Sequence, residues 1–389
     1  MNKTVSIDID GARRGYRNFI TATSSDGGYR LTPRAEPTAY ARCFAIFGFQ
    51  LLKEYELLAS NADIWAEELR SEVRSFRERR ENTGVELRYD KAYLQLLTFT
   101  LSALKILDQL EVDPLEDLVL PLLSSNVKRD LSQVKADKGV PRSGNQAMFM
   151  VILLLHARIY LGQNVDEKIE LWQAFQKEKM NRFGFWGEDR SMSHLQFQNG
   201  YHQYEILEYL YSTEIPWEAA ADAVASLADV EGHFAPYPGG GGCYDYDAVF
   251  MLTTNSSSIS KHSQLLIKTA TTLLSEQNTD GGFCESQRIR PRSVDNMVRT
   301  WRHVMAAKGV ARRERIRQAI TLQRPKHDRV HTHWSIYSRE WGESDLWDSW
   351  FRMLAVARID VALNPENADK WGFIDYPGIG FHPSVCKKA

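Results

Sequence analysis

The chain has 389 residues, 43% of them hydrophobic and 25% charged, with a net charge of −2. That balance is ordinary for a globular protein and too neutral for a nucleic-acid footprint, which needs a basic excess on some face. No apolar run reaches the ~18 residues that span a bilayer, so no integral membrane segment is predicted.

Residues 1–16 read as a tail with no apolar leader, which predicts a cytoplasmic protein. The turn Asp26-Gly27-Gly28-Tyr29 then precedes an apolar helix carrying Tyr40, and residues 65–80 form a heavily charged helix. Arg88-Tyr89-Asp90 opens a second apolar helix near Tyr93, and Arg142-Ser143-Gly144 opens a third near Asn145. After the polar helix 166–179, the turn Phe183 to Gly187 leads to a fourth near Asn199. Polar residues 217–229 and the run Gly239 to Gly242 precede a fifth at Asp247. Asp280-Gly281-Gly282-Phe283 is assigned to a sixth at Asn296, and Trp341 to Ser344 to a seventh at Asp348. The basic run Arg312 to Arg317 reads as the solvated side of a helix, and residues 376–389 as a second tail. Cys43, Cys243, Cys284 and Cys386 stand far apart, which predicts no disulfide framework.

From Tyr40 to Asp348 these helix starts are spaced 53, 52, 54, 48, 49 and 52 residues apart. A period near 50 marks a helix–turn–helix repeat. Helices apolar all round must be buried, whereas their partners with one apolar stripe can border water. Alternating runs that would read as strands are scarce. The expected fold is all-α: an α/α toroid of about six to seven helix hairpins, one domain over 1–389. An open solenoid uses the same repeat.

The segment Gln277-Asn278-Thr279-Asp280-Gly281-Gly282-Phe283 resembles the QxxDGxW/F repeat motif of squalene–hopene-type cyclases. Asp26-Gly27-Gly28-Tyr29 is a second, weaker copy. Gly242-Cys243-Tyr244-Asp245-Tyr246-Asp247 is similar to the segment carrying the DxDD acid of class II terpenoid cyclases, and to the GCY segment of protein prenyltransferase β subunits. The resemblance implies the toroid and an isoprenoid substrate. Ala248 stands in place of the third aspartate of DxDD, and class II cyclases usually join two helical barrels where this chain has room for one. Gly241 replaces the aspartate of the prenyltransferase zinc site, leaving Cys243 and an uncertain counterpart in His303. Two ligands do not hold zinc, so no metal and no cofactor are expected.

Several constellations sit at helix starts. Asn199, His202 and Glu205 are three apart and share a helical face beside Tyr201, suited to acid–base work or to a satisfied polar cluster. Asp245 and Asp247 read as a carboxylate pair whose pKa values push apart, or as helix caps. The glycines before them make a tight turn or bind an anion through backbone N–H groups. Trp347, Asp348 and Arg352 belong to a dense polar and aromatic set preceded by His331, His333 and Arg339, and Arg299 near Asn296 could clamp a carboxylate or phosphate.

The leading expectation is an isoprenoid-processing enzyme like a class II terpenoid cyclase, with Asp247 as general acid assisted by Asp245 and His202. Tyr244, Asn199, Tyr201, Glu205, Asn296, Arg299, Trp347, Asp348 and Arg352 would line the substrate. One alternative is a carbohydrate-active toroid enzyme (a lyase, epimerase or uronide hydrolase) using Asn, His, Tyr and Arg at the barrel mouth. Another is a non-catalytic binding module. The expected partner is a small molecule, isoprenoid or sugar. The sequence does not speak to oligomeric state.

Overall fold

The structure, a computed structural model, describes residues 8–188 and 190–383. Helix accounts for 62% of it and strand for 4%, the latter only in two-residue pairs, so the chain is all-α. None of the helices among the described residues is long and apolar enough to cross a membrane. The chain divides into two compact units: one reaches to Gly48 and resumes over Ala221–Trp371; the other holds Phe49–Ala220 and the residues from Gly372 on. Cys386 lies outside the described residues; Cys43 and Cys284 are buried and Cys243 is partly buried.

In the second unit, Lys91–Ile106, Ser143–Tyr160 and His194–Tyr209 are buried helices packed side by side in chain order. Their starts are set locally. Asp90 and Ser193 cap the first and third through side chains that accept from Ala92 N at 3.1 Å and Gln196 N at 3.1 Å. The polar helices Tyr55–Glu81 and Asp166–Lys179 cover them with single apolar stripes. Gly144 permits the closest crossing. A Cβ there would lie 1.6 Å from the Asn199 carbonyl oxygen, a backbone atom that cannot step aside. Gly144→Ala is therefore expected to lower unfolding stability by about 1–3 kcal/mol in a urea titration. Gly342→Ala, which has nothing within 4 Å of the new methyl, should be near neutral.

In the first unit, Gly242–Thr253 and Leu346–Leu363 are the buried helices, and Ala39–Leu51 begins there. Ile9–Ala22 and Ser256–Ser275 pack against Leu346–Leu363. Two candidate tails are corrected. Ile9–Ala22 buries Tyr16, Phe19 and Ile20, and Tyr376 and Phe381 are buried in the other unit. Hydrophobic burial outweighs the polar look of both segments.

The repeat register is also corrected. Six of the seven marked residues fall on buried helices, but Asn296 opens Val294–Ala306, which leaves Val294, Met297 and Trp301 exposed. The Asp280-Gly281-Gly282-Phe283 turn instead serves Leu346–Leu363. Strand Phe283–Cys284 pairs antiparallel with Ser344–Asp345, immediately before that helix. Asp280 accepts from Gly282 N at 3.0 Å and from Ser344 Oγ at 2.8 Å, and Gln277 Nε2 donates to Gly281 O at 2.8 Å. Residues 285–343 therefore leave and return through one strand pair, and carry the helices Val294–Ala306 and Gly309–Leu322 as an excursion. In the latter helix Arg313 and Arg317 are solvated, whereas Arg315 is fully buried.

Candidate active site at the glycine run

The four glycines let backbone pass where no side chain fits. Gly240 has φ +70°, and a Cβ on it would meet Asp245 Oδ2 at 2.1 Å and His233 Nδ1 at 2.6 Å. A Cβ on Gly241 would meet the Tyr237 hydroxyl at 2.3 Å and Glu285 Oε1 at 2.9 Å. The anion that the next backbone N–H takes is the protein's own: Gly242 N donates to Asp348 Oδ1 at 3.0 Å.

Two polar clusters flank this turn. In the first, His233 Nδ1 lies 2.9 Å from Asp245 Oδ2, and its Nε2 lies 3.3 Å from Glu276 Oε2. Burial opposes the imidazolium, but the two carboxylates outweigh it and raise the pKa well above that of ordinary histidine. Burial likewise opposes ionised Glu276, yet His233, Arg352 and Arg288 bring its pKa down to about 2. Arg352 Nη1 donates to Glu276 at 3.0 Å, and its Nη2 to Gly239 O at 2.9 Å. Asp245 also accepts from Phe234 N at 2.9 Å. This cluster is closed: His233, Asp245, Glu276 and Arg352 are all buried.

The second cluster is partly open. Glu285 follows Phe283–Cys284 and accepts from the Tyr237 hydroxyl and from Arg339 Nη2, the latter at 3.1 Å. Arg339 also binds Asp345 and, at 2.8 Å, Asp348. Burial, reinforced by the Asp348 charge, pushes the Glu285 carboxyl up to about 7 against the pull of Arg339. Its side chain keeps 17% of its surface exposed, whereas that of Asp348 has none. The Tyr237 ring stands 6.2 Å from Tyr244 and 6.0 Å from Trp341. A partly exposed acid that titrates near neutrality and is held by the Tyr237 hydroxyl is equipped for proton transfer.

The residues expected to form the site are divided between the two units. Asp245, Asp247, Tyr244, Trp347, Asp348 and Arg352 lie in the first unit, while Asn199, Tyr201, His202 and Glu205 lie in the second. Asp245 and Asp247 are two apart on one helix and so do not face each other; Asp245 pairs with His233 instead. Asp247 is 1% exposed and shares a helical face with Cys243 and Tyr244. Asp348 and Arg352 are spent on internal partners, and Trp347 stacks on Trp334 at 4.5 Å.

In the second unit, His202 Nε2 accepts from Asn145 Nδ2 at 2.8 Å. Burial, aided by the Lys91 charge, lowers its pKa to about 3, so it is neutral at pH 7 rather than poised to shuttle protons. Asn199 donates to Leu195 O at 2.9 Å, and the Tyr201 ring lies tilted against His202 at 5.0 Å. Glu205 is buried at 2%. Asn296 and Arg299 sit on the excursion, Arg299 reaching Glu231 at 3.3 Å. The His333 ring lies tilted against Trp334 at 4.1 Å, and no three metal-binding groups converge among the described residues.

Sequence reasoning passed over Tyr237, His233, Glu276 and Glu285. The available signal was position: all four border the Gly239–Gly242 and Asp280–Phe283 turns. No family model, curated protein or solved structure matches the chain.

Proposed function

We propose that the chain is an α/α-toroid enzyme that transfers a proton to or from a carbohydrate, with Glu285 as its general acid. The observation that carries this reading is the Glu285 carboxyl, raised to about 7 and still open to solvent between Tyr237 and Arg339. An acid of that strength is half protonated at neutral pH, the best compromise between supply of the acid form and driving force. It suits a glycosidic oxygen, which gains the proton as the C–O bond breaks and keeps its electron pair, while a water molecule bonds the sugar carbon and releases a proton that restores the acid. It holds its proton too tightly for an alkene. Tyr237 orients the carboxyl, and the partly exposed ring of Tyr244 beside it suits a sugar face.

A second reading keeps Asp247 as the acid of an isoprenoid cyclase. It is supported by the burial of Asp247 beside Tyr244, and by a glycine turn that docks the Leu346–Leu363 helix as a repeat motif would.

Thermal-shift and turnover measurements with neutral and uronic oligosaccharides, prenyl diphosphates and polyenes separate the two. Stabilisation by oligosaccharides alone is the expected result. Stabilisation by isoprenoids alone overturns it, and Asp247→Asn should then remove turnover by roughly 10²- to 10⁴-fold. Under the carbohydrate reading that variant keeps most of its activity.

A further inference from the structure

The excursion 285–343 holds 14 Lys and Arg residues against six Asp and Glu, a net of +8 in a chain whose total is −2. Its first helix is turned against the usual rule. Amphipathic helices bury their apolar stripe, but Val294–Ala306 points its polar side at the body of the unit. Arg299 binds Glu231 at 3.3 Å, and His303 Nδ1 binds Asp229 at 3.0 Å. Arg315 of the second helix ties the pair down by donating to His303 O at 2.6 Å and to Leu227 O.

The apolar stripes face outward. Met297, Trp301 and Val304 from one helix and Ile316, Ala319 and Ile320 from the other line a groove of about 610 Å³. These are positions i, i+4 and i+7 on the first helix and i, i+3 and i+4 on the second. Met297 is 70% exposed, Trp301 65% and Ile320 58%. Leaving a tryptophan and this much aliphatic surface in water is costly unless something covers it.

We infer that this helix pair is a docking groove for an acidic amphipathic helix of a partner protein. Shape and charge select that occupant. Two helices of 13 and 14 residues, their stripes side by side, form a trough about 20 Å long. That is the geometry of helix-in-groove recognition. Val304 and Ala319 form its floor, so the surface is concave, where a bilayer would favour apolar groups that protrude. Arg288 and Arg292 close one end, and the exposed Arg313, Arg317 and Arg324 flank the stripe of the second helix. The same face of a second copy would set the exposed Arg313, Arg317 and Arg324 against their own copies, so self-pairing is disfavoured.

The test is a fluorescence-anisotropy titration of the full chain with a labelled designed peptide of about 20 residues, apolar at i, i+3, i+4 and i+7 and glutamate elsewhere. A lysine-for-glutamate copy and vesicles containing phosphatidylserine run in parallel. The glutamate peptide is expected to bind at micromolar concentrations, with affinity falling as salt rises. Trp301→Ala should weaken it at least 10-fold, as loss of a central aromatic anchor does. Exposed Trp301 contributes little to folding, so an unchanged melting curve would tie that loss to the groove. Arg313→Glu with Arg317→Glu should favour the lysine peptide. No binding at about 100 μM, equal binding of both peptides, vesicle binding in place of peptide binding, or a dimer lost in Trp301→Ala would each overturn the proposal.

Discussion

Glu285→Gln is expected to lower turnover of the cognate carbohydrate by roughly 10²- to 10⁴-fold, or about 3–5 kcal/mol of barrier. Glutamine keeps the shape of the side chain and can still meet Tyr237 and Arg339, so substrate binding should change far less than rate. In the wild type, activity carried by the protonated acid should fall as pH rises through about 7. Stability gives an independent readout. A carboxyl raised from its ordinary value to about 7 binds its proton more tightly in the folded state. Its contribution is complete at low pH and is lost as pH rises from about 4.5 to about 7. The stability of Glu285→Gln relative to wild type should therefore increase across that window, by up to about 3 kcal/mol. A rate unchanged in the variant would remove Glu285 from the chemistry, and a flat stability difference would place its pKa near the ordinary carboxylate value.

His233→Leu should be the most destabilising single change, costing about 3–5 kcal/mol in chemical unfolding. The imidazolium is the cation shared by Asp245 and Glu276, both almost wholly buried. Removing it leaves two carboxylates facing an apolar group, with Arg352 and Arg288 bonded to Glu276 and no other cationic side chain bonded to Asp245 among the described residues. Because the His233 pKa is raised on folding, its contribution is complete below about 6.5 and is lost as pH climbs through the folded value. The gap between wild type and His233→Leu should therefore shrink in alkaline buffer. Glu276 works in the opposite direction, its contribution being present above about 4.5 and lost as pH falls toward 2. A pH-independent gap would mean that His233 acts by packing alone.

Several features were legible in the residues themselves. All-α character followed from apolar runs at helical length and from the lack of alternation. Six buried helices announced themselves by a period near 50, because a helix apolar on every side can only be buried. The glycine run was readable as a place where backbone must come close, though not as to what.

Four things belonged to the tertiary structure. Asn296 kept the period by coincidence: the 59 residues of the excursion, 285–343, lie close to one repeat in length, so spacing could not tell an insertion from a hairpin. Only the pairing of Phe283–Cys284 with Ser344–Asp345 does so. The partners of Asp245 and Glu285 come from segments 12 and 54 residues away, and a charge on the page does not say which charge it will meet. Asp245 and Asp247 read as a pair, which two positions apart on one helix do not form, and it took His233 to show what Asp245 does. The pKa of Glu285 depends on how much water reaches it and on how Arg339 divides itself among three carboxylates. Composition and spacing determine which helices form and which must be buried; burial depth and long-range charge pairing, which set reactivity, exist only once the chain has folded.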